Sequence, residues 1–149
     1  PKVLEYNCRF GDPETQSQLL RLEDDLAEVL LKVARGNLAD TRLSWKKEAA
    51  VCVVLAAAGY PGDVVKGDEI TIDRIDDESV FLFHAGTEVE KDRLLTVGGR
   101  VLSVCARGGS LSEAMERAYA AVGKVRFRGR HSRSDVGQRA LEMLRDASE

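Results

Sequence analysis

The run ITIDRIDDESVFLFHAGTEVEKDRLLTVGGRVLSVCA, residues 70–106, sets the architecture. Branched and aromatic residues alternate with polar ones over 70–75 and 80–89, the period-two pattern of a strand with one face buried. Lys91-Asp92 marks a turn, and residues 94–97 and 100–106 read as two further strands parted by Gly98-Gly99. Short strands in succession predict an antiparallel sheet, as a meander or partial barrel. Before this run, residues 48–57 are rich in Val and Ala and read as a buried strand that the turn residues Gly59-Tyr60-Pro61-Gly62 end. After it, Gly109-Ser110 leads into a helix predicted over 111–123, with Leu111, Ala114, Met115, Ala118 and Val122 facing inward. A short strand over 125–127 and a last helix over 135–146 complete the pattern. The fold class is α+β, an antiparallel sheet or partial barrel with flanking helices.

The amino-terminal part reads differently. Residues 2–8 alternate as a short strand, with Val3, Glu5, Asn7 and Arg9 on one side and Leu4, Tyr6 and Cys8 on the other. Phe10-Gly11-Asp12-Pro13 ends it. Asp12 is the expected N-cap and Pro13 the first residue of a helix running to about residue 22. Asp24 is expected to cap a second helix whose apolar stripe is Leu26, Val29, Leu30 and Val33, and Gly36 to close it. No convincing linker or internal repeat divides the chain, which reads as one packed unit.

Composition narrows the class. Apolar residues make up 44% of 149 and charged residues 32%, enough to bury a core and too balanced for disorder. A net charge of -3 with 5% aromatics predicts no nucleic-acid partner. No apolar stretch has the length of a membrane span, so no membrane partner is expected either. The odd cysteine count, Cys8, Cys52 and Cys105, shows no metal spacing and fits a reducing, cytoplasmic compartment. Cys52 and Cys105 lie in apolar runs and read as buried packing residues. The chain begins at Pro1 without a methionine, which reads as a fragment.

Several constellations suit chemistry. On an extended segment Glu5, Asn7 and Arg9 share one face at steps of about 6.6–6.8 Å. A carboxylate and an amide oxygen suit a hard cation such as Mg²⁺, and an arginine beside them suits phosphate; an exposed polar strand face is the plain alternative. Gly11 before a helix start allows close approach of an anion. Thr96-Val97-Gly98-Gly99-Arg100 brings backbone amides toward a ligand or forms a hairpin. Between residues 124 and 139 six Lys/Arg face one acid, Asp135, which is either a solvated basic surface or a phosphate site. Within it, Arg133-Ser134-Asp135-Val136-Gly137 starts the last helix, with Asp135 as cap or Arg133 beside a phosphate. His84 reads as a core or site-lining residue and His131 as exposed.

Residues 1–16, PKVLEYNCRFGDPETQ, resemble the signature of the phosphoribosylamine–glycine ligase family of the ATP-grasp superfamily. The likeness continues in order through Gly59-Tyr60-Pro61-Gly62, Lys66-Gly67, Phe83-His84-Ala85-Gly86-Thr87, Gly98-Gly99-Arg100-Val101-Leu102 and Arg133-Ser134-Asp135-Val136-Gly137. It implies an ATP-dependent ligase of purine synthesis that joins glycine to 5-phosphoribosylamine through an acyl phosphate. By the same likeness Glu5 and Asn7 hold Mg²⁺ or Mn²⁺. Arg9 stabilises charge on the transferring phosphoryl group of ATP, Asp12 and Glu14 help order the site, and Glu14, Gly99, Arg100 and Arg133 contact substrate. Residues 1–36 would end the catalytic domain and 37–149 form a carboxy-terminal domain packed with it. Two departures stand out: His131 replaces an aromatic residue, and residues 72–78 are unusually charged. In the family the glycine-rich ATP loop and the amino-terminal domain precede Pro1, so this chain is expected to need that missing part as partner and to be inactive alone. The alternative is a non-catalytic interaction module of a multifunctional protein.

Overall fold

The computed structural model describes residues 2–4 and 6–147. Its centre is a three-stranded antiparallel sheet in the order β1 (Ala49–Ala56), β6 (Arg100–Gly108), β3 (Val80–His84). The middle strand is buried on both faces from Val101 to Ala106, which explains its nearly unbroken apolar sequence. On β1, Val51, Val53 and Leu55 are buried on one face while Cys52 and Val54 are half-buried on the other. Two small ribbons flank this sheet: β2 (Thr71–Ile72) with β7 (Val125–Arg126), and β4 (Thr87–Glu90) with β5 (Arg93–Thr96). The expected antiparallel sheet with flanking helices is present, in a strand order that is not sequential.

Helix α3 (Leu111–Val122) covers one face of the central sheet and buries Ala114, Ala118, Ala121 and Val122 against it. Its start is well capped. Ser110 Oγ accepts from Glu113 N at 3.2 Å, and Glu113 Oε2 accepts from Gly109 N at 2.7 Å, a reciprocal arrangement. Helix α1 (Glu14–Leu19) lies against β1 and β6 on the opposite face.

The single strand expected over 80–89 is two strands, because the chain turns a corner at Ala85-Gly86. A Cβ on Gly86 would sit 2.7 Å from both Arg100 O and Gly98 Cα. Only glycine lets these backbones cross so closely. Lys91 and Asp92 form the two-residue hairpin loop, both with positive φ (49° and 64°), as the primed turn between twisted strands requires.

Backbone hydrogen bonds fix which pairs in the sheet are bonded. Arg107 N–H donates to Ser79 O and Ala85 N–H to Val101 O. Odd-numbered residues from 101 to 107 on β6 therefore point their backbone groups toward β3. Cys105, in register with both Phe81 and Cys52, thus forms a pair with Cys52 that lacks backbone bonds and sits close.

The amino-terminal segment departs most from expectation. Among the described residues, 2–10 form no strand and are almost wholly exposed. A strand needs a ladder to join, and no described strand lies beside this one. Pro13, not Asp12, occupies the N-cap position of α1, which ends at Leu19 rather than near residue 22. Asp25, not Asp24, caps α2 (Leu26–Ala34), its carboxylate accepting from Ala27 N at 2.8 Å. Asp24 is drawn instead to Ser44 N at 2.5 Å. The expected stripe of α2 is only partly covered, with Leu26 and Val29 half-buried and Leu30 and Val33 exposed, and the helix has no fully buried residue. Gly36 closes it as expected, at φ 72°, with Asn37 N donating to Lys32 O and Gly36 N to Val33 O. At the other end α4 (Gln138–Asp146) starts after Gly137 at φ 87°, three residues later than expected.

Candidate functional site

Four stretches far apart in sequence meet at one cavity of about 430 Å³ on the sheet face opposite α3. Pro13 at the start of α1 forms one edge. Cys52, Val54 and Ala56 of β1 form the floor. Tyr60 stands on the turn after β1, Arg100 at the start of β6, and the loop from His131 to Arg133 with Val136 closes the remaining side. The lining therefore pairs an apolar floor with two guanidinium groups, the composition of a site for a small anionic ligand with an apolar body.

Local contacts hold each wall in place. His131 and Ala56 exchange two backbone hydrogen bonds, at 2.9 and 3.0 Å, which fasten the loop to the end of β1. The rings of Tyr60 and His131 lie 6.4 Å apart, tilted by 33°. Gly99 lies under Tyr60: a Cβ there would stand 2.5 Å from the ring, and Gly99 O accepts from Ala57 N. Arg100 is anchored by Asp12, whose carboxylate lies 2.9 Å from Nη2 and whose carbonyl accepts from Nη1 at 2.9 Å. Asp12 thus joins α1 to β6 rather than capping the helix.

Arg133 makes a two-pronged contact with Asp135, Nε to Oδ1 at 2.8 Å and Nη2 to Oδ2 at 2.6 Å. This hydrogen bonding, with the guanidinium charge, holds the Asp135 carboxyl below the usual carboxylate range. Asp135 is therefore engaged with Arg133 and does not cap α4. Tyr119 of α3 organises the same loop from below. Its hydroxyl donates to Arg133 O at 3.1 Å and accepts from Val136 N at 3.0 Å.

Four other cations of the basic run are engaged elsewhere. Arg126 forks onto Asp73 at 2.6 Å, Arg128 reaches Asp68 at 2.9 Å, Lys124 donates to Arg74 O, and Arg130 donates to the carbonyls of Val122 and Val125. Carboxylates and carbonyls thus divide the guanidinium groups, and no continuous basic stripe of the kind nucleic acids require is formed by these residues.

The structure brings Arg100 and Arg133 to one cavity, with Gly99 under its Tyr60 wall, and leaves Asn7, Arg9 and Glu14 off its lining. Arg9 is exposed and donates to Phe10 O at 2.9 Å. Asn7 is exposed, Glu14 curls over Gly11, and Glu5 lies outside the described residues. Among the described residues no three His, Cys, Asp or Glu side chains gather as a metal group would need. Asn7 supplies one hard oxygen where an octahedral cation takes six, so these residues alone do not make a metal site. His84 is exposed rather than buried, its Nδ1 3.0 Å from Thr87 Oγ1. Cys52, expected in the core, is a half-buried wall of the cavity, while Cys105 is fully buried. Sequence reasoning missed Tyr119 in this role, and named Asp12 only as a residue that orders the site, without its partner Arg100. Nothing local marks Tyr119, and the Asp-Pro at a helix start has a strong capping reading that the Arg100 pair overrides.

The phosphoribosylglycinamide synthetase C-domain description matches residues 50–139, which contain every wall of the cavity except Pro13. The chain belongs to this family. Across 95% of its length it is 51% identical to the phosphoribosylamine–glycine ligase of Phenylobacterium zucineum and 47% identical to that of Salmonella typhimurium. It covers 34% of each of those proteins, so the chain spans about a third of the length of these curated relatives. The crystal structure of phosphoribosylamine–glycine ligase from Thermotoga maritima superposes with a TM-score of 0.79 at 38% identity, over 91% of this chain and 33% of that one. In family terms the central sheet, α3 and the arginine loop make up the matched C domain, while α1 and α2 lie before it.

Proposed function

We propose that this chain is the carboxy-terminal part of an ATP-dependent ligase that joins glycine to 5-phosphoribosylamine in the cytoplasm. The observation that carries the reading is the meeting of Arg100 and Arg133 at a cavity with an apolar floor. A ribose phosphate has the matching chemistry: an anion for planar guanidinium forks and a sugar ring for the floor. The relatives' name supports the same substrate.

In the proposed reaction the glycine carboxylate takes the terminal phosphoryl group of ATP. The amine of phosphoribosylamine then attacks the acyl carbon and phosphate leaves, giving glycinamide ribonucleotide and ADP. Arg133 would bind the substrate phosphate, exchanging part of its contact with Asp135 for it, and Arg100 would line the same pocket while Asp12 keeps it in place. The Gly99 backbone and Glu14 would complete the substrate contacts. Arg9 would face the transferring phosphoryl group. Glu5 and Asn7 would supply two of the oxygens for Mg²⁺ or Mn²⁺, an ion that neutralises phosphate charge when bound; the remaining ligands and most of the ATP site would come from the two thirds of the relatives' length outside this chain.

We also divide the chain at residue 36. Residues 1–36 would close the catalytic domain, with the exposed apolar side chains of 2–10 and α2 packed on the rest of the polypeptide. Residues 37–149 would form the carboxy-terminal domain.

The test uses the full-length enzyme, with ADP release as readout. Turnover should need both glycine and phosphoribosylamine. Arg133→Ala should raise KM for phosphoribosylamine at least ~10-fold, as loss of a charge-assisted pair of about 1.5–3 kcal/mol implies, and leave KM for glycine unchanged. An unchanged KM for phosphoribosylamine would remove Arg133 from the site, and turnover without either substrate would end the ligase reading.

A further inference from the structure

The central sheet places two thiols side by side at the cavity wall, and the ligase chemistry uses neither. Cys52 on β1 and Cys105 on β6 are direct cross-strand partners. The bonding pattern of β6 makes theirs the pair without backbone hydrogen bonds. Such pairs have Cα atoms about 4.5 Å apart, inside the roughly 4.4–6.8 Å range that a disulfide spans. Being directly opposite, the two side chains leave the sheet on the same face, the one turned toward the cavity and away from α3.

Their accessibility differs in a useful way. Cys105 is fully buried, whereas Cys52 is half-buried and lines the cavity. A small oxidant entering the cavity meets Cys52 first and finds Cys105 directly behind it. From these positions we infer that Cys52 and Cys105 form a dithiol–disulfide modification site, in which Cys52 is the sulfur attacked first and Cys105 resolves it.

The electrostatics agree. A hydrogen bond from Cys105 draws the Cys52 thiol below its ordinary pKa, against burial and the negative charge of Asp12. Cys105 is held high by the same hydrogen bond, by burial and by the charge of an ionised Cys52. That last effect disappears once Cys52 carries a neutral sulfenic acid, so the second thiol becomes easier to ionise at the moment it is needed.

With a peroxide as oxidant the steps balance. The Cys52 thiolate attacks one peroxide oxygen and the O–O bond breaks. Cys52 S–OH forms, and the other oxygen leaves as hydroxide, which takes up a proton to become water. Cys105 sulfur then attacks the Cys52 sulfur, the S–O bond breaks, and a second water leaves with the Cys105 proton. Each sulfur loses one electron, and the peroxide is reduced to two waters.

The experiment treats the full-length enzyme with a small excess of hydrogen peroxide, blocks remaining thiols with N-ethylmaleimide and maps tryptic peptides without reductant. Cleavage after Lys47, Lys66, Arg100 and Arg107 puts Cys52 on residues 48–66 and Cys105 on residues 101–107. We expect these two peptides joined, two hydrogens lighter than their sum, and separated again by dithiothreitol. In Cys105→Ser, Cys52 should stop at the sulfenic acid and be captured by dimedone; Cys8→Ser should leave the joined pair unaffected. Recovery of both peptides separately, each carrying the maleimide, while Cys8 is oxidised would overturn the inference. So would a disulfide joining Cys52 to Cys8.

Discussion

Two parts of this molecule contain comparable apolar side chains and treat them in opposite ways. Among the described residues every fully buried apolar side chain lies between Val51 and Val125. There β6 is enclosed by β1, β3, α1 and α3, and Leu102 and Val104 are wholly covered. Between Lys2 and Trp45 the side chains are equally apolar in places, yet Leu4 is 97% exposed, and Leu30, Leu31 and Val33 are exposed on a helix with no fully buried residue. The difference shows that apolar patterning predicts a helix or strand, while the burial that stabilises it depends on a second surface. The first region carries its own second surface. The second, in our reading, meets one on the remainder of the polypeptide.

Truncating one leucine in each region gives the largest expected contrast. Leu102→Ala removes a fully buried side chain and should cost about 2–5 kcal/mol. Leu31→Ala, half-exposed on α2, should change stability by less than about 0.5 kcal/mol in this chain. Urea denaturation midpoints of the two variants measure both. Equal losses would mean that α2 is packed after all and would break the comparison.

A smaller effect tests how tightly the first region is built. Gly86→Ala places a methyl group 2.7 Å from backbone atoms of residues 98 and 100. Backbone yields less readily than a side-chain tip, so we expect a loss of about 1–3 kcal/mol, the usual range for overpacking. A variant as stable as the parent would show that the corner between β3 and β4 opens freely.

The same contrast separates what was legible in the sequence from what was not. Features set by neighbouring residues were readable: the Lys91-Asp92 hairpin, Gly36 at the end of α2, Ser110 before α3, and the apolar run of β6. Features set by distant residues were not. The pairing of β2 with β7 joins Ile72 to Val125, residues far apart in sequence. Asp12 and Asp24 have sound capping credentials, and each is drawn off by a remote donor, Arg100 or Ser44. The opening strand failed because alternation cannot supply a neighbour. For the site, Arg100 and Arg133 were named from their motifs, but their meeting over Cys52, and the part Tyr119 plays, arise only when α3 and the sheet are packed together.

Capping offers the next test because the chemical change is the same in both regions. Ser110→Ala removes the acceptor for Glu113 N at the start of a helix packed on the core. It should lower global stability by about 1 kcal/mol. Asp25→Ala removes a comparable acceptor from α2. Because α2 has no fully buried residue, its loss should appear as faster amide exchange within α2, with little shift in the global midpoint. A global loss of equal size from both would show that α2 and the core unfold as one unit and would count against the boundary we draw.

The smallest effect concerns an exposed interaction on the well-packed side. Asp73 receives both prongs of Arg126 at 2.6 Å, beside the β2–β7 pair. The hydrogen bond from Arg126 holds the Asp73 carboxyl below its usual range against desolvation, and the charges of Arg126 and Lys124 lower it further by smaller amounts. A carboxyl with a depressed folded-state pKa contributes stability that is complete above its unfolded value, about 3.9. That contribution is lost as pH falls through the lower folded value. Asp73→Asn removes the charge, so the difference in urea midpoint between parent and variant should be constant from pH 7 to about pH 5 and shrink below pH 4. The pair is exposed, so the difference should be small at every pH and smaller still in high salt. A difference that instead grew on acidification would reverse the sign argued here. It would mean that Asp73 in the folded chain prefers its protonated form, which a carboxylate held by two guanidinium nitrogens does not.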